Sequence, residues 1–262
     1  MNETVSINIT TCNRAHLLSR CVRSALEQTY PEIEINIIDD ASEDSTEELL
    51  QALKDEDPRI HTFRNKTRQG NAASRNRLLA ASNASYIAFL DDDDYWTDPQ
   101  KLEKQVRQLH QYQASNQAAI SCTDVIEETT DSRRTVNISM PKNLVTAILR
   151  GNGFIFNSTV MTTRQTLDLT KGFDEKMQRG VDSDFFRSAI LKHQAIIDFI
   201  PEVTTVCSVE GQRMTTSKTL KDRCRILNAH LRIIRKHRSD FIKHPGALVS
   251  RLTKLTAALL KP

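Results

Sequence analysis

The stretch Tyr86-Ile87-Ala88-Phe89-Leu90-Asp91-Asp92-Asp93-Asp94-Tyr95-Trp96 runs five apolar residues into four consecutive aspartates. Neighbouring like charges repel, so the cluster is costly unless solvent or a cation screens it. At the end of a buried strand, a cation is the cheaper screen. Carboxylate oxygens are the hard ligands that Mg²⁺ and Mn²⁺ prefer, commonly with a substrate phosphate completing the shell. An acidic run in isolation reads as readily as a solvated loop, so the decision rests on what surrounds it.

Outward from this stretch, strand-like runs alternate with helical patterns. Residues 5–10 read as a strand, and Leu17, Leu18, Cys21, Val22, Ala25 and Leu26 recur at helical spacing. Residues 33–38 are isoleucine-rich and end in Asp39-Asp40; a polar helix follows over 46–54, then a short strand over 60–63. Residues 71–81 read as an Ala/Leu-rich helix that leads into the strand at 86–90. This βαβαβαβ rhythm predicts a doubly wound, mostly parallel α/β sheet, whose ligands sit at the carboxyl ends of the strands. Thr11-Cys12-Asn13, Asp39-Asp40 and the aspartate run all fall at such ends, so three polar clusters converge on one rim. Beyond residue 100 the pattern is less regular. It suggests a helix over 101–112, strands over 118–122 and 157–162, and a helix over 183–192. A strongly basic helix over 218–238 and a shorter amphipathic one over 248–260 follow.

With 39% hydrophobic and 26% charged residues in 262, the chain has an ordinary globular composition. Its 7 glycines form neither GxGxxG nor GxxxxGK[ST], so any phosphate must be held by metal or side chains. The five cysteines are scattered and odd in number, which suggests reduced thiols rather than disulfides or a zinc site. The opening MNETVSINIT lacks the features of a signal peptide, and a cytoplasmic location is expected. Charge is asymmetric. Of 36 Lys/Arg and 33 Asp/Glu, residues 218–262 hold 12 and 2, leaving 24 and 31 in residues 1–217.

These residues resemble family 2 of the glycosyltransferases, the inverting enzymes of the GT-A fold. VSINITTCNRAHLLSRCVRSALEQTYPEIEINIIDDASEDST resembles the family's opening, AASRNRLLAAS its Ala-Arg-Asn helix, and FLDDDDYW its DxD or DxDD metal motif. STVMTTR, GFDE and VDSDFFR resemble the acceptor-side half, so the likeness runs over roughly residues 5–210. The resemblance implies a GT-A domain over 1–217, with a nucleotide-binding half at 1–100 and an acceptor-side half at 101–217. Residues 218–262 are then a basic helical extension. It also implies a UDP-sugar donor, an Mn²⁺ or Mg²⁺ cofactor, and a hydroxyl acceptor on a bacterial surface glycan, such as a lipid-linked one.

Carried over by position, Asp91 and Asp93 form the DxD pair, with Asp93 a metal ligand and Asp94 an adjoining candidate. Asp91 lies nearer the ribose, with Asp92 also on the nucleotide-sugar side. Thr10, Cys12, Asn13 and Arg14 belong to the nucleotide side, with Asp40 accepting the uracil N–H. Strand alternation puts Asp39 and Asp40 on opposite faces, and Asp39 equally caps the following turn. Arg75 is either a diphosphate or nucleobase contact or a surface arginine. Asp182 is the expected general base, with Asp184 as helix cap or acceptor-side group; both aspartates as caps is the alternative. Trp96 either packs under the aspartate loop or meets a sugar.

Departures from the family pattern are Thr10 for Pro, Cys12 for an aromatic, Val181 for Glu, and Val209-Glu210 where a His is usual. Arg213 is the residue placed to contact phosphate instead. The basic tail is expected either to lie on the anionic inner membrane surface or to pack its apolar face on the domain. A nucleotidyltransferase and a nucleic-acid-binding protein are the alternative functions. The missing glycine-rich loop weighs against the first; 5% aromatic content and an acidic body weigh against the second, so no nucleic-acid partner is expected.

Overall fold

The structure, a computed structural model, describes residues 3–151, 154–208 and 219–260. Val209, Glu210 and Arg213 lie outside the described residues. The predicted alternation is present as β1 (Val5–Thr11), α1 (Ala15–Leu26), β2 (Ile33–Asp39), α2 (Thr46–Glu56), β3 (Ile60–Arg64), α3 (Asn71–Ala81) and β4 (Tyr86–Phe89). β1 pairs in parallel with β2 on one side and β4 on the other, and β2 with β3. The chain therefore moves outward from β1 to β3 and then returns to the other side of β1. That reversal opens a crevice between the carboxyl ends of β1 and β4, where doubly wound sheets bind ligands.

The second half continues the same sheet. β5 (Tyr95–Trp96), α4 (Lys101–Ala114), β6 (Ala119–Glu128), β7 (Arg133–Val136), α5 (Leu144–Arg150), β8 (Met161–Thr163) and α6 (Arg164–Thr170) come first. α7 (Val181–His193), β9 (Ile196–Ser208), α8 (Leu220–Lys236), α9 (Arg238–Lys243) and α10 (Pro245–Leu260) complete the chain. The strand order is β3-β2-β1-β4-β8-β6-β9-β5, with β7 on β6. β8 runs antiparallel to both β4 and β6, while β6 and β9 are parallel.

Two local expectations are corrected. Residues 157–162 are not one strand: Asn157–Thr159 is a 3₁₀ turn, and only Met161–Thr163 pairs. The turn is held by Val160 N–H on the Asn157 carbonyl (3.0 Å) and by the Thr159 hydroxyl on the Phe156 carbonyl (2.7 Å). β9 escaped notice because Pro201 interrupts its pattern. Its register passes from Thr123↔Ile200 to Asp124↔Val203, so Pro201 and Glu202 bulge out where a missing N–H costs no ladder bond.

Strand alternation gives the sheet two apolar faces. Tyr86, Ala88 and Leu90 pack with β1, β2, α1 and α4, while Ile87 and Phe89 face α7 and the C-terminal helices. Ala229, Ile233, Phe241 and Ala247 belong to the latter cluster, so the apolar face of residues 219–260 is buried against the sheet domain. Burying one such phenylalanine contributes about 2–3 kcal/mol. Among the described residues no helix is long and apolar enough to cross a membrane.

Candidate active site

At the end of β1 the chain turns through Asn13, whose φ of 56° lies in the left-handed region that Asn tolerates. Its N–H donates to the Ser42 hydroxyl at 2.8 Å, and its Oδ1 accepts the Glu43 N–H at 2.7 Å. Asn13 thus laces the loop after β1 to the loop after β2 from an exposed position. Asp39, fully buried, accepts the Ser42 N–H (2.9 Å) and hydroxyl (2.5 Å). It holds a turn and does not reach the cleft. Asp40 accepts from Asn65 Nδ2 (2.7 Å), Gln69 N–H (2.8 Å) and Gly70 N–H (2.8 Å). Burial alone would raise its pKa, but these donors outweigh it and hold the carboxyl below its ordinary range.

The aspartate run divides by direction. Asp94 N–H closes a turn on the Asp91 carbonyl at 3.0 Å and sends the Asp94 side chain inward. There it accepts from the Ser158 hydroxyl (2.5 Å) and Ser208 N–H (2.9 Å) and is 2% exposed. Burial, then Asp91 and Asp93, push its pKa well above the carboxylate range. Asp94 therefore points inward as an internal brace and does not line the cleft. Asp91, Asp92 and Asp93 do line a cleft of about 250 Å³ together with Arg75 and Asp182. A second lobe of about 250 Å³ runs on past Thr10, Cys12 and Asp40. Thr10, Arg14, Asn71 and Asp92 line both lobes.

Two arginines bridge these carboxylates in pairs. Arg14 Nη1 lies 2.8 Å from both Asp92 Oδ1 and Asp93 Oδ2. Arg75, 4% exposed, puts Nη2 on Asp91 Oδ1 at 2.7 Å and Nη1 on Asp182 Oδ1 at 2.5 Å. It is no surface residue: α3 delivers it into the centre of the cleft, its guanidinium over Phe173. Burial raises Asp91 to about 6, with Asp182, Asp93 and Asp92 adding to the rise and Arg75 opposing it. Asp92 is likewise raised, first by burial.

The acceptor-side candidates separate. Asp182 opens α7 at the cleft. Asp184, two residues on, is 1% exposed and bonded to Lys236 Nζ of α8 at 2.5 Å, on the opposite side of the helix end. Trp96 is 3% exposed, donates Nε1–H to the Ser158 carbonyl (2.7 Å) and lies under the Lys101 ammonium. Trp96 and Asp184 are thus interior residues that do not line the cleft. Sequence reasoning missed Asn157 and Ser158. Asn157 donates to Asp91 Oδ1 at 2.8 Å; Ser158 bonds Asp94 and accepts the Asp91 N–H at 3.0 Å. The signal lay in the segment carrying STVMTTR, whose polar start does not fit a buried strand.

Among the described residues no three His, Cys, Asp or Glu side chains gather to hold a metal by themselves. A cation here would rely on one or two carboxylates plus substrate phosphate, which is how Mg²⁺ is ordinarily held. The donor set fits that mode, since two carboxylates already meet at one cation, the Arg14 guanidinium.

Residues 6–168 match the family model for glycosyl transferase family 2. The chain belongs to that family. The curated relatives that it resembles are themselves glycosyltransferases. It is 42% identical over 104 residues to the E. coli UDP-Glc:alpha-D-GlcNAc-diphosphoundecaprenol beta-1,3-glucosyltransferase WfaP. That match spans 40% of each chain. Among solved structures it resembles S. aureus TarS with UDP-GlcNAc (TM-score 0.66, 17% identity, 88% of this chain and 66% of that one). It also resembles the Pyrobaculum calidifontis mannosyltransferase PcManGT with GDP-Man and Mn²⁺ (TM-score 0.61, 17%, 100% and 76%). Both likenesses establish the GT-A fold. Asp182 lies beyond the residues matched by the family model.

Proposed function

We propose that the chain transfers a sugar, with inversion, from a UDP-sugar to a hydroxyl of a lipid-linked glycan that is built into a bacterial surface polysaccharide. The observation that carries this reading is the cleft in which Arg75 joins Asp91 to Asp182. It brings a donor-side carboxylate and a candidate base to one guanidinium. WfaP, by its name, takes UDP-Glc and a diphosphoundecaprenol-linked sugar, which supports the choice of donor and acceptor class. Residues 1–217 carry catalysis in this reading, and residues 218–262 are the basic extension.

Asp93 is the metal ligand, with Asp92 beside it, and Asp94 braces them from inside. A divalent ion bound there supplies charge neutralisation for the departing diphosphate. Asp91 orients the ribose, and Thr10, Cys12 and Asp40 flank the base. Asn13 and Arg14 shape the loop and balance its charge. Asp182 takes the proton of the acceptor hydroxyl as its oxygen bonds to the anomeric carbon and the bond to UDP breaks. An arginine on a carboxylate weakens it as a base. Arg75 therefore has a second role, in which it offers charge to the diphosphate and frees Asp182.

The C-terminal helices offer a membrane contact. Arg232 and Lys236 are used internally, on Asp174 and Asp184. Arg235, Arg238 and Lys243 are exposed, and Ile242 and Val249 are 69% and 63% exposed. Ile242→Ser with Val249→Ser should reduce flotation with anionic liposomes several-fold; unchanged flotation rejects the contact. The donor site is tested by thermal stability with UDP, GDP or CMP, each with Mn²⁺ or EDTA. A ligand at a hundred times its Kd adds about 2.7 kcal/mol. Selective, Mn²⁺-dependent stabilisation by UDP is expected; a folded protein that answers to no nucleotide overturns the reading.

A further inference from the structure

A separate cavity of about 310 Å³ lies among α5, α7, α8 and α10. Among the described residues its charged lining is basic: Arg150, Arg179, Arg187, Arg251 and Lys254, with His230 beside them. Arg187 and Arg251 are only 2% and 4% exposed. A buried guanidinium costs several kcal/mol unless something compensates it. Here compensation is short. Arg187 Nη1 stands 3.7 Å from Asp184 Oδ1, beyond a hydrogen bond, and has no hydrogen-bond partner. Asp184 is already committed to Lys236 at 2.5 Å. Arg187 Nε and Arg251 Nε donate only to the backbone carbonyls of Ile148 (3.3 Å) and Leu149 (3.0 Å). His230 Nδ1 is buried without a partner.

The same burial bears on the ionisation of both guanidiniums. Burial first, then the neighbouring arginine, holds Arg251 down at about 9; burial holds Arg187 at about 10, opposed by Asp184. Even the backbone makes room for this charge. A side chain at Gly151, whose φ is +66°, would bring its Cβ to 3.1 Å from Arg251 Nη2. Surplus positive charge is thus held in low-dielectric surroundings that open onto a cavity. Planar guanidinium forks match the paired oxygens of phosphates.

We propose that this cavity binds the diphosphate of the acceptor, a diphosphate ester whose chain is apolar and whose sugar hydroxyl reaches Asp182. The inference rests on the acceptor class proposed above and deepens it. Arg179 and Gly180 line both this cavity and the aspartate cleft, so the anion and the base lie on two sides of one loop. Ser183, next in sequence to Asp182, also lines it. Ile226, Ala229, Ile233 and Ala258 form its apolar walls, which favour an ester with a hydrocarbon chain over a free anion.

Calorimetry on the full chain in EDTA, with farnesyl diphosphate, inorganic pyrophosphate and farnesol as probes, tests this. Farnesyl diphosphate should bind at least ten-fold more tightly than pyrophosphate, with farnesol not binding. Lys254→Gln and Arg251→Lys should each weaken farnesyl diphosphate about ten-fold. Stabilisation of the same variants by UDP with Mn²⁺ should persist, which separates a failure here from a failure of the donor site. Absent binding overturns the proposal, as does unchanged affinity in the variants. Equal affinity for pyrophosphate and farnesyl diphosphate overturns the assignment to an apolar ester. If Arg251→Lys does not fold, Lys254→Gln decides alone.

Discussion

Two cavities flank the Arg179–Gly180 loop, and their charges are opposite. In the cleft, Asp91, Asp92, Asp93 and Asp182 outnumber the two arginines that hold them, Arg14 and Arg75. In the cavity, Arg187 and Arg251 have one nearby carboxylate, Asp184, which Lys236 outside the cavity already bonds. Each side carries a surplus that the fold alone does not settle. A surplus of carboxylates suits a cation and its phosphate; a surplus of guanidiniums suits an anion. Buried charge of either sign is expensive, so a domain that keeps both sets is arranged around ligands rather than around its own stability.

The largest break in this symmetry should come from Asp182→Asn. If Asp182 takes the acceptor proton, kcat falls by roughly 10²–10⁴-fold, while UDP with Mn²⁺ still stabilises the protein. Near-normal turnover with donor binding intact removes it as the base. Asp184→Asn attacks the other side. It deletes the one carboxylate shared by Lys236 and Arg187, and removing one partner of a buried pair costs about 3 kcal/mol. Urea denaturation should show this loss, and an unchanged midpoint would mean that the cavity does not depend on Asp184. Asp93→Asn should abolish the Mn²⁺-dependent part of UDP stabilisation, about 2.7 kcal/mol at a hundred times Kd. Full retention of the metal effect would move the ligand to another carboxylate.

The two sides also differed in legibility. The rim of the cleft could be read because the isoleucine strands and the polar residues after them follow period-2 and helical patterns. Those patterns force Thr11, Asp39 and Asp91 to the same edge. Which way each side chain turns could not be read. Asp39 and Asp94 face inward, and Asp40 is saturated by Asn65, Gln69 and Gly70, because tight turns decide direction one residue at a time. Arg75 could not be distinguished from a surface arginine, since its partners are 16 and 107 residues away. The basic cavity was hidden more deeply. Arg187, His230 and Arg251 come from three helices, and only tertiary packing reveals that their positive charge is turned inward.

Acid should separate the two sides by sign. His230 is held at about 4, first by burial and then by Arg251, Arg187 and Lys254. Its folded pKa lies below the ordinary 6.5, so the unfolded chain takes the proton first. The stability tied to a neutral His230 is complete above pH 6.5 and is lost as pH falls toward 4. After allowance for partial exposure, the loss is about 2 kcal/mol. His237, also held low by burial, adds to the same window. Asp91 works in the opposite direction. Its folded value of about 6 exceeds the ordinary 3.8, so the folded chain binds the proton first and gains stability as pH falls through 6. Its side chain is partly open to the cleft, so the gain is about 1 kcal/mol. Denaturation between pH 7 and 4.5 should therefore show a shallower acid loss for His230→Gln and a steeper one for Asp91→Asn. Slopes that move together would mean that one side of the loop does not carry the charge assigned to it.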